Sequence, residues 1–327
     1  MTRPLASLSL DVDNLWSYLK IRGDAAWEAR PTYLPEFLPR VLEVLRSEDL
    51  RITFFLVGAD AADARHAAVL GTVGRSGHEV ANHSFEHEPW LDRYTDAAVH
   101  EELGRADRAI RAATGLAPVG FRGPGFSWSP TVLETVRELG YLFDASTFPT
   151  WLGPLARAYY FATAGISAGE RAARAALFGG VAEGFRRLKP YYWQLKDGRR
   201  LLEIPVTTMP LIRAPFHLSY LLYLAQYSEG LALAYLRVAL LLCRLTGTEP
   251  SILLHPLDFM GADLAPQLAF FPAMRLPSAR KVAFFRRAIG VLRRSYELVP
   301  MGEHASAIAA RSARLPVLTA RAAQARA

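Results

Sequence analysis

The sequence predicts an α/β fold built on a parallel sheet, and three observations support this prediction. Short apolar runs alternate with helix-like segments from residue 5 to residue 145. The helix-like segments repeat apolar residues every three to four positions, whereas the runs are short enough to be buried strands. Polar side chains follow several of these runs, as they do at the strand ends of parallel α/β folds. Strands that alternate with covering helices at short intervals favour a parallel sheet.

The strands and helices of the first half can be placed in order. Apolar runs that predict strands lie at residues 5–10, 52–57, 78–82, 118–121 and 141–145. One helix is predicted by apolar residues with the spacing of a single buried face, Leu38, Val41, Leu42 and Leu45. A later helix is predicted to begin at Ser129 as its N-cap, with Pro130 in the first helical position, and to end at Gly140.

The second half departs from this alternation. We interpret residues 150–200 as a helical insertion in a single domain at 1–303, because they contain no clear strand pattern. Five further elements are predicted, namely a strand at 200–210, an apolar helix at 218–245, a strand at 251–256, a helix at 278–294 and a short strand at 296–300. The Ala/Arg-rich tail at 304–327 is expected to be frayed or disordered.

The apolar helix predicted at 218–245 is long enough to span a bilayer. Glu229 and Arg237 lie near its middle, and each charge would cost roughly 2.5 to 3.5 kcal/mol on insertion scales. We therefore predict that this helix packs on the core or lies along a surface instead of crossing a membrane.

Charge divides the chain into two unlike halves. Residues 1–150 carry a net charge of −6, and residues 151–327 carry +13. A basic half that is also rich in Leu, Tyr and Phe favours an anionic lipid surface or a phosphate-bearing substrate over nucleic acid. Arginine enrichment from genomic base composition would explain the same charge without a partner. Because no apolar run long enough for a secretory signal precedes the first strand, we expect a cytoplasmic location, including the inner face of the membrane.

Histidines and carboxylates supply the candidate metal site, because the one cysteine, Cys243, excludes a disulfide framework and a Cys-based zinc site. Asp11 and Asp13 end the first strand and, two residues apart, point to the same side. His83 and His87 follow the third strand with i, i+4 spacing, which on a helical turn places both imidazoles on one face. Two histidines and one carboxylate leave positions open for water and substrate. The alternatives are a turn-forming aspartate and unrelated surface histidines.

Three further elements carry polar residues at strand ends. Arg122 precedes a Gly-Pro-Gly turn and, since arginine does not deprotonate, would hold a neighbouring carboxylate in its ionised form. Asp144 ends the strand at 141–145, and His255 follows the strand at 251–254 with Asp258 three residues later. An arginine in a surface ion pair and a hydrogen-bonded core histidine are the alternative interpretations.

Taken in order, these motifs resemble the signature of the polysaccharide deacetylase family, also called the NodB-homology domain or carbohydrate esterase family 4. The matching segments are LDVD, NHSFEH, FRGPG, FDAS and LLHP, spread from residue 10 to residue 256. The resemblance implies a distorted (β/α) barrel of about seven strands with the site at the strand carboxyl ends. Many members have adjacent aspartates; the D-V-D of this chain is similar to the branch that includes formyl-arabinose lipid deformylases and some exosortase-linked deacetylases.

The resemblance also implies a role for each matching residue. Asp13, His83 and His87 would bind a divalent metal, most simply Zn²⁺, and Asp11 would be the catalytic base. Arg122 would keep Asp11 ionised, and His255 would be the catalytic acid. Either Asp144 or Asp258 would orient His255, and the sequence leaves both open. The turn that follows Arg122 would contact the substrate through Pro124, Gly125, Phe126 and Trp128.

The function implied by this resemblance is hydrolysis of an N-acyl group, acetyl or formyl, from an amino sugar. The basic, apolar second half favours a lipid-linked sugar whose tail lies against residues 218–245. One alternative is hydrolysis of a ureide or another non-sugar amide at the same site. Another is a catalytically silent protein that binds glycan or lipid, which the filled acid, base and ligand positions disfavour.

Overall fold

The computed structural model describes residues 3–151, 181–311 and 315–320. In these ranges ten strands form one sheet. The strands are β1 (Leu5–Asp11), β2 (Thr53–Leu56), β3 (Glu79–Asn82), β4 (Gly120–Phe121), β5 (Phe143–Asp144), β6 (Tyr191–Gln194), β7 (Arg200–Glu203), β8 (Ser251–Leu254), β9 (Glu297–Val299) and β10 (Val317–Thr319).

The sheet runs in the order β10-β6-β7-β5-β4-β3-β2-β1-β8, and β9 pairs with the start of β1. Every described pair is parallel except β6 with β7. The predicted α/β fold with a mainly parallel sheet is therefore confirmed. The Thr207 N–H donates to the Ser251 carbonyl at 3.0 Å, which brings the segment after β7 beside β8. Closure of the sheet into a barrel stays a prediction.

Ten α-helices connect and cover the strands in the described ranges. They are α1 (Leu15–Arg22), α2 (Leu34–Ser47), α3 (Gly58–Ala62), α4 (Ala67–Arg75), α5 (Asp96–Thr114), α6 (Pro130–Glu138), α7 (Leu218–Ala225), α8 (Glu229–Thr246), α9 (Ser278–Arg293) and α10 (Met301–Arg311). The predicted cap of α6 is present, since Ser129 Oγ accepts a hydrogen bond from the Val132 N–H at 3.2 Å. The buried face of α2 includes Leu38, Val41 and Leu45, as their spacing predicts.

The single apolar helix predicted at 218–245 is wrong, because the structure contains two helices there. Ser228 interrupts the run with extended backbone, and its hydroxyl accepts from the Leu231 N–H at 3.2 Å to cap α8. Glu229 lies in the first turn of α8 and pairs with Arg280 at 3.1 Å and with Arg287, so its charge is satisfied at the surface. None of the helices in the described ranges combines the length and the apolar character that crossing a membrane requires.

The tail differs from its prediction as well. The residues expected to fray from 304 include most of α10, which buries Ala305 and Ile308 and so repays the cost of ordering an alanine-rich segment. His304 Nδ1 lies 3.0 Å from Ser7 Oγ, and β10 adds a strand beside β6. Of the predicted insertion, residues 152–180 lie outside the described residues. Its end contains β6, which belongs to the sheet.

The register of the parallel strands aligns the residues that leave the sheet at one edge. Leu10 is opposite Leu254, and Asn82 is opposite Phe121. Because carboxyl ends of parallel strands meet at the same edge, the residues that follow each strand project towards a common region. Those residues include Asp11, His83, Arg122 and His255.

Candidate active site

The predicted metal ligands converge although they are distant along the chain. Asp13 Oδ1 lies 2.9 Å from His87 Nε2 and 3.4 Å from His83 Nε2. One candidate ligand atom from each residue lies within 4.8 Å of the others, and all three side chains are buried. This arrangement directs two imidazole nitrogens and one carboxylate oxygen to one point in space.

The turn that carries the two histidines is not helical, so the expected helical turn is wrong. Ser84 and His87 both adopt left-handed backbone, with φ of 61° and 55°. The His87 N–H donates to Ser84 Oγ at 3.1 Å. The Glu102 carboxylate accepts from the backbone N–H groups of Phe85 and Glu86 at 2.9 and 2.7 Å. A strained turn held by a neighbouring helix therefore brings the imidazoles together, which is typical of functional sites.

The donor set fits a divalent cation. His83 Nδ1 lies 2.6 Å from the Arg122 carbonyl, so the ring donates there and directs its Nε2 lone pair towards Asp13. Asp13 Oδ1 is buried and takes no well-directed hydrogen bond in the described residues. Burial would raise the pKa of Asp13, but the nearby His87 and His83 hold that pKa well below its ordinary value. A buried, ionised oxygen without a hydrogen bond, facing two imidazole nitrogens, is what a metal ligand requires.

Arg122 and Asp11 form a buried ion pair beside this triad. Arg122 is fully buried, and its NH1 group donates to Asp11 Oδ1 and, at 3.1 Å, to Ser9 Oγ. The guanidinium also lies 4.2 Å from the centre of the Phe55 ring. The other oxygen of Asp11 is 3.9 Å from His83 Nε2. The structure thus places one Asp11 oxygen on the arginine and the second towards the histidines.

His255 is held by Asp258 at the end of β8. The His255 N–H donates to Asp258 Oδ2 at 2.8 Å, and Ser219 Oγ donates to Asp258 Oδ1 at 2.7 Å. Ser219 Oγ is also 3.3 Å from His255 Nδ1. Burial raises the pKa of Asp258, although the nearby His255 acts in the opposite direction. Of the two candidates for orienting His255, the structure puts Asp258 beside it.

Asp144 instead belongs to a buried carboxyl pair with Glu203. Ser146 Oγ donates to Asp144 at 2.6 Å, and the Trp193 indole N–H donates to Glu203 at 2.9 Å. Burial raises the pKa of Asp144. Burial and the adjacent Asp144 raise the pKa of Glu203 well above its ordinary value. Asp144 and Glu203 lie opposite each other in the pairing of β5 with β7, and burial favours the protonated form of both.

The four predicted substrate residues lie in different surroundings. Pro124 is buried, Gly125 is exposed, and Phe126 is partly exposed with left-handed backbone at φ 61°. The Phe126 ring stacks on Phe148 with centroids 5.0 Å apart. Trp128 is only 8% exposed, and its ring packs 4.7 Å from another buried tryptophan in a core cluster. The structure therefore gives Trp128 a packing contact and leaves Phe126 at the edge of the site.

Two polar residues near the site were missed by sequence reasoning. Tyr18 in α1 is buried with no hydrogen-bond partner for its hydroxyl in the described residues. Burial and the nearby Asp13 raise the pKa of Tyr18 well above its usual value, so the hydroxyl stays protonated. His217, which precedes α7, lies with its ring 6.0 Å from that of His255. The sequence offered two signals for these residues: a tyrosine about one helical turn after the D-V-D motif, and a histidine just before an apolar helix.

Part of the chain that includes His83, His87 and Arg122 is similar to known proteins. Residues 24–143 match the family model for polysaccharide deacetylase. A chitooligosaccharide deacetylase of Bradyrhizobium sp. (strain ANU 289) is 38% identical over 107 residues, or 32% of this chain and 48% of that protein. Peptidoglycan-N-acetylmuramic acid deacetylase PdaA of Bacillus subtilis (strain 168) is 30% identical over 118 residues, which is 35% of this chain and 44% of that protein.

The polysaccharide deacetylase match contains His83, His87 and Arg122, whereas Asp11, Asp13 and His255 lie outside it. The chain spans about half the length of the curated relatives it matches. A crystal structure of a Mycobacterium smegmatis protein described as a polysaccharide deacetylase superposes with a TM-score of 0.64 at 20% identity. It covers 98% of this chain and 95% of that one, which shows a common fold. The family resemblance is confirmed, and the D-x-D branch stays a prediction.

Proposed function

We propose that the protein hydrolyses an N-acyl amide, acetyl or formyl, on an amino sugar with the help of a divalent metal. The observation that carries this proposal is the convergence of Asp13, His83 and His87 beside a second, arginine-paired carboxylate, Asp11. Two of the similar proteins bear names that describe deacetylation of N-acetylated amino sugars. Their names support an amino-sugar amide over other amides.

Asp13, His83 and His87 would hold the metal, and the mixed nitrogen and oxygen donors suit Zn²⁺. When bound by these residues, a divalent ion would supply Lewis-acid chemistry towards the acyl carbonyl and would lower the pKa of water. The hydrogen bond from His83 to the Arg122 carbonyl would fix the ring orientation needed for that role.

Asp11 is the proposed base. Arg122 pairs with one Asp11 oxygen, while the second oxygen lies towards the histidines and would accept a proton from the attacking water. The water oxygen forms a bond to the acyl carbon, and its proton passes to Asp11. Because Arg122 is completely buried, this pairing is shielded from solvent and its geometry is fixed.

His255 is the proposed acid. An amide anion is a very poor leaving group, so the sugar nitrogen must receive a proton as its bond to the acyl carbon breaks. Asp258 accepts hydrogen bonds from the backbone N–H of His255 and from Ser219, and Ser219 near Nδ1 would leave Nε2 of His255 to face the substrate. Asp258, and not Asp144, is therefore the proposed orienting residue.

We also propose that the substrate is lipid-linked and that the protein meets it at an anionic membrane surface. One face of α8 exposes Leu231, Val238, Leu241 and Leu245 at helical spacing, and Leu245 is 73% exposed. Arg237 and Arg244 are exposed beside them. An apolar helix face flanked by arginines suits the boundary between headgroups and acyl chains.

A tight loop beside α8 extends this surface. The Met209 N–H donates to the Ala214 carbonyl and the Arg213 N–H to the Met209 carbonyl, both at 2.8 Å. These bonds hold Leu211 and Ile212 outward, with Leu211 80% exposed. The Tyr235 hydroxyl of α8 donates to the Pro215 carbonyl at 2.9 Å and fixes the loop to the helix. The apolar surface therefore reaches the segment that leads to the site at His217.

The hydrolase proposal is tested by mass spectrometry of N-acetyl and N-formyl amino-sugar lipids, and of soluble N-acetyl chitooligosaccharides, incubated with zinc-loaded protein. For each acyl group removed, the mass of the sugar should fall by about 42 mass units on deacetylation or by about 28 on deformylation. Chelator should abolish the reaction and zinc should restore it. A ureide or small amide hydrolysed in place of every sugar would favour the alternative substrate. Sugar binding without any turnover would favour a silent binding protein.

The membrane proposal is tested separately by co-sedimentation with phosphatidylglycerol vesicles at low salt. Leu241→Glu and Leu245→Glu should each weaken vesicle binding roughly tenfold, because a charge enters the apolar face. Leu142→Glu is the matched control, since Leu142 is 50% exposed in a different part of the fold. Absence of vesicle binding by the wild type, or an equal loss in the control, would contradict the proposal.

A further inference from the structure

His217 lies in the wall of the site without a role in the proposed reaction. Its ring centroid is 5.6 Å from that of Phe148 and 6.0 Å from that of His255. Tyr220 packs perpendicular to it at 4.7 Å. His217 is 5% exposed, so its position is set by these rings and by the start of α7.

One nitrogen of the His217 ring lacks a hydrogen-bond partner in the described residues. His217 Nδ1 is buried and finds no hydrogen-bond partner among the residues that the structure describes. Buried polar atoms are nearly always paired, so an unpaired one beside a site points to a group that arrives with the ligand. Burial holds the pKa of His217 well below its ordinary value, and the nearby His255 and Arg122 act in the same direction. The ring is therefore neutral and does not compete with His255 for a proton.

An aromatic platform adjoins the unpaired nitrogen. Phe126 and Phe148 stack with an interplanar angle of 28°, and both rings are partly exposed. The C–H face of a pyranose ring is apolar and packs on such a surface, whereas its hydroxyls need hydrogen-bond partners. Phe148 contacts His217, so the platform adjoins the ring that lies next to His255.

We propose that Phe126, Phe148 and His217 form a subsite for the sugar ring, in which His217 hydrogen-bonds a hydroxyl next to the acylamino group. This inference rests on the proposed hydrolysis of an amino-sugar amide. The inference assigns His217 to substrate binding. Packing alone does not require a histidine here, because a phenylalanine would fill the same space and would lack only the ring nitrogens. Specificity for a sugar over a small amide would come from this subsite.

Steady-state kinetics of zinc-loaded protein test the subsite with two probes, tri-N-acetylchitotriose and 4-nitrophenyl acetate, which lacks a sugar. His217→Phe should raise KM for the chitotriose about tenfold with little change in kcat. Hydrolysis of 4-nitrophenyl acetate and the pH profile of kcat should stay as in the wild type. His217→Gln, which keeps a neutral hydrogen-bonding group, should recover part of the KM. Phe148→Leu should raise the chitotriose KM alone.

His78→Phe is the matched control. His78 is a buried histidine beside the Phe54 ring, at the opposite, amino end of β3, and its replacement should leave both probes unchanged. An equal loss of kcat/KM for both probes in His217→Phe, a shifted pH profile of kcat, or an unchanged chitotriose KM would overturn the subsite.

Failure of the proposed function is recognised separately. If the wild type hydrolyses neither probe, calorimetric binding of chitotriose decides the subsite. If the wild type binds chitotriose and His217→Phe weakens that binding, the subsite is supported even without catalysis. If the wild type does not bind chitotriose, the subsite is overturned. Thermal melting of each variant identifies a loss that comes from unfolding.

Discussion

The two sides of the candidate site are built differently. The metal side, with Asp11, Asp13 and Arg122, consists of residues at or just after the ends of β1 and β4, and Arg122 pairs with Asp11. The acid side consists of His255 after β8 together with residues from the start of α7. Strand ends fix the first arrangement, whereas a long connection delivers the partners of the second. Motif order predicts the first arrangement and His255, but it does not predict Ser219 or His217 on the acid side.

The difference also appears in the charges. On the metal side a fully buried arginine, Arg122, neutralises Asp11, and the nearby histidines keep Asp13 ionised. On the acid side Asp258 faces His255 through Ser219, and the adjacent His217 is held neutral by burial. We infer that one side is built around carboxylates paired with cationic or imidazole side chains and the other around one imidazole held by a carboxyl group and a hydroxyl.

The largest expected effects come from removing the proposed base or acid. Asp11→Asn and His255→Ala should each lower kcat by roughly 10²- to 10⁴-fold, because each takes away a proton-transfer group. Zinc content should remain close to that of the wild type, since neither residue is a proposed ligand. Kinetics and metal analysis of the purified variants check this. Wild-type kcat in either variant would remove the assigned role.

A smaller effect should separate Asp258 from Asp144. Asp258→Asn should lower kcat roughly 10- to 100-fold, because His255 loses the carboxylate that orients it. Asp144→Asn should change kcat less than about threefold, since its neighbour is Glu203. The two variants are matched in chemistry and compared in one assay. A larger loss in Asp144→Asn would reverse the assignment.

Sequence reasoning was most successful where strand register determines position. Asp13 and His83 follow β1 and β3, the two strands that flank β2, so motif order was enough to bring them together. It failed where local geometry decides, as in the left-handed backbone at His87 and the packing of Trp128 against the core. It also missed His217, because only the folded connection places that ring beside His255.

The smallest expected effect concerns stability at a distance from the site. Burial would raise the pKa of Glu249, but its contacts with His304, Arg311 and the Leu5 N–H lower it to about 2 from 4.5. A lowered carboxyl pKa stabilises the fold above pH 4.5, and this contribution is lost as pH falls towards 2.

Glu249→Gln should therefore reduce the free energy of unfolding by about 1–2 kcal/mol at pH 7 and by less at pH 3. Urea unfolding at both values measures this difference, and kcat should not change. An equal loss of stability at both pH values would show that α10 is not held by this charge.

The central claim is that Asp13, His83 and His87 bind one cation together. Isothermal titration of chelator-stripped protein with Zn²⁺ tests it most directly, with His83→Ala as the variant and His78→Ala as the control. We predict about one ion per chain for the wild type and the control, and no comparable binding by His83→Ala. Unchanged stoichiometry and affinity in His83→Ala would contradict the claim.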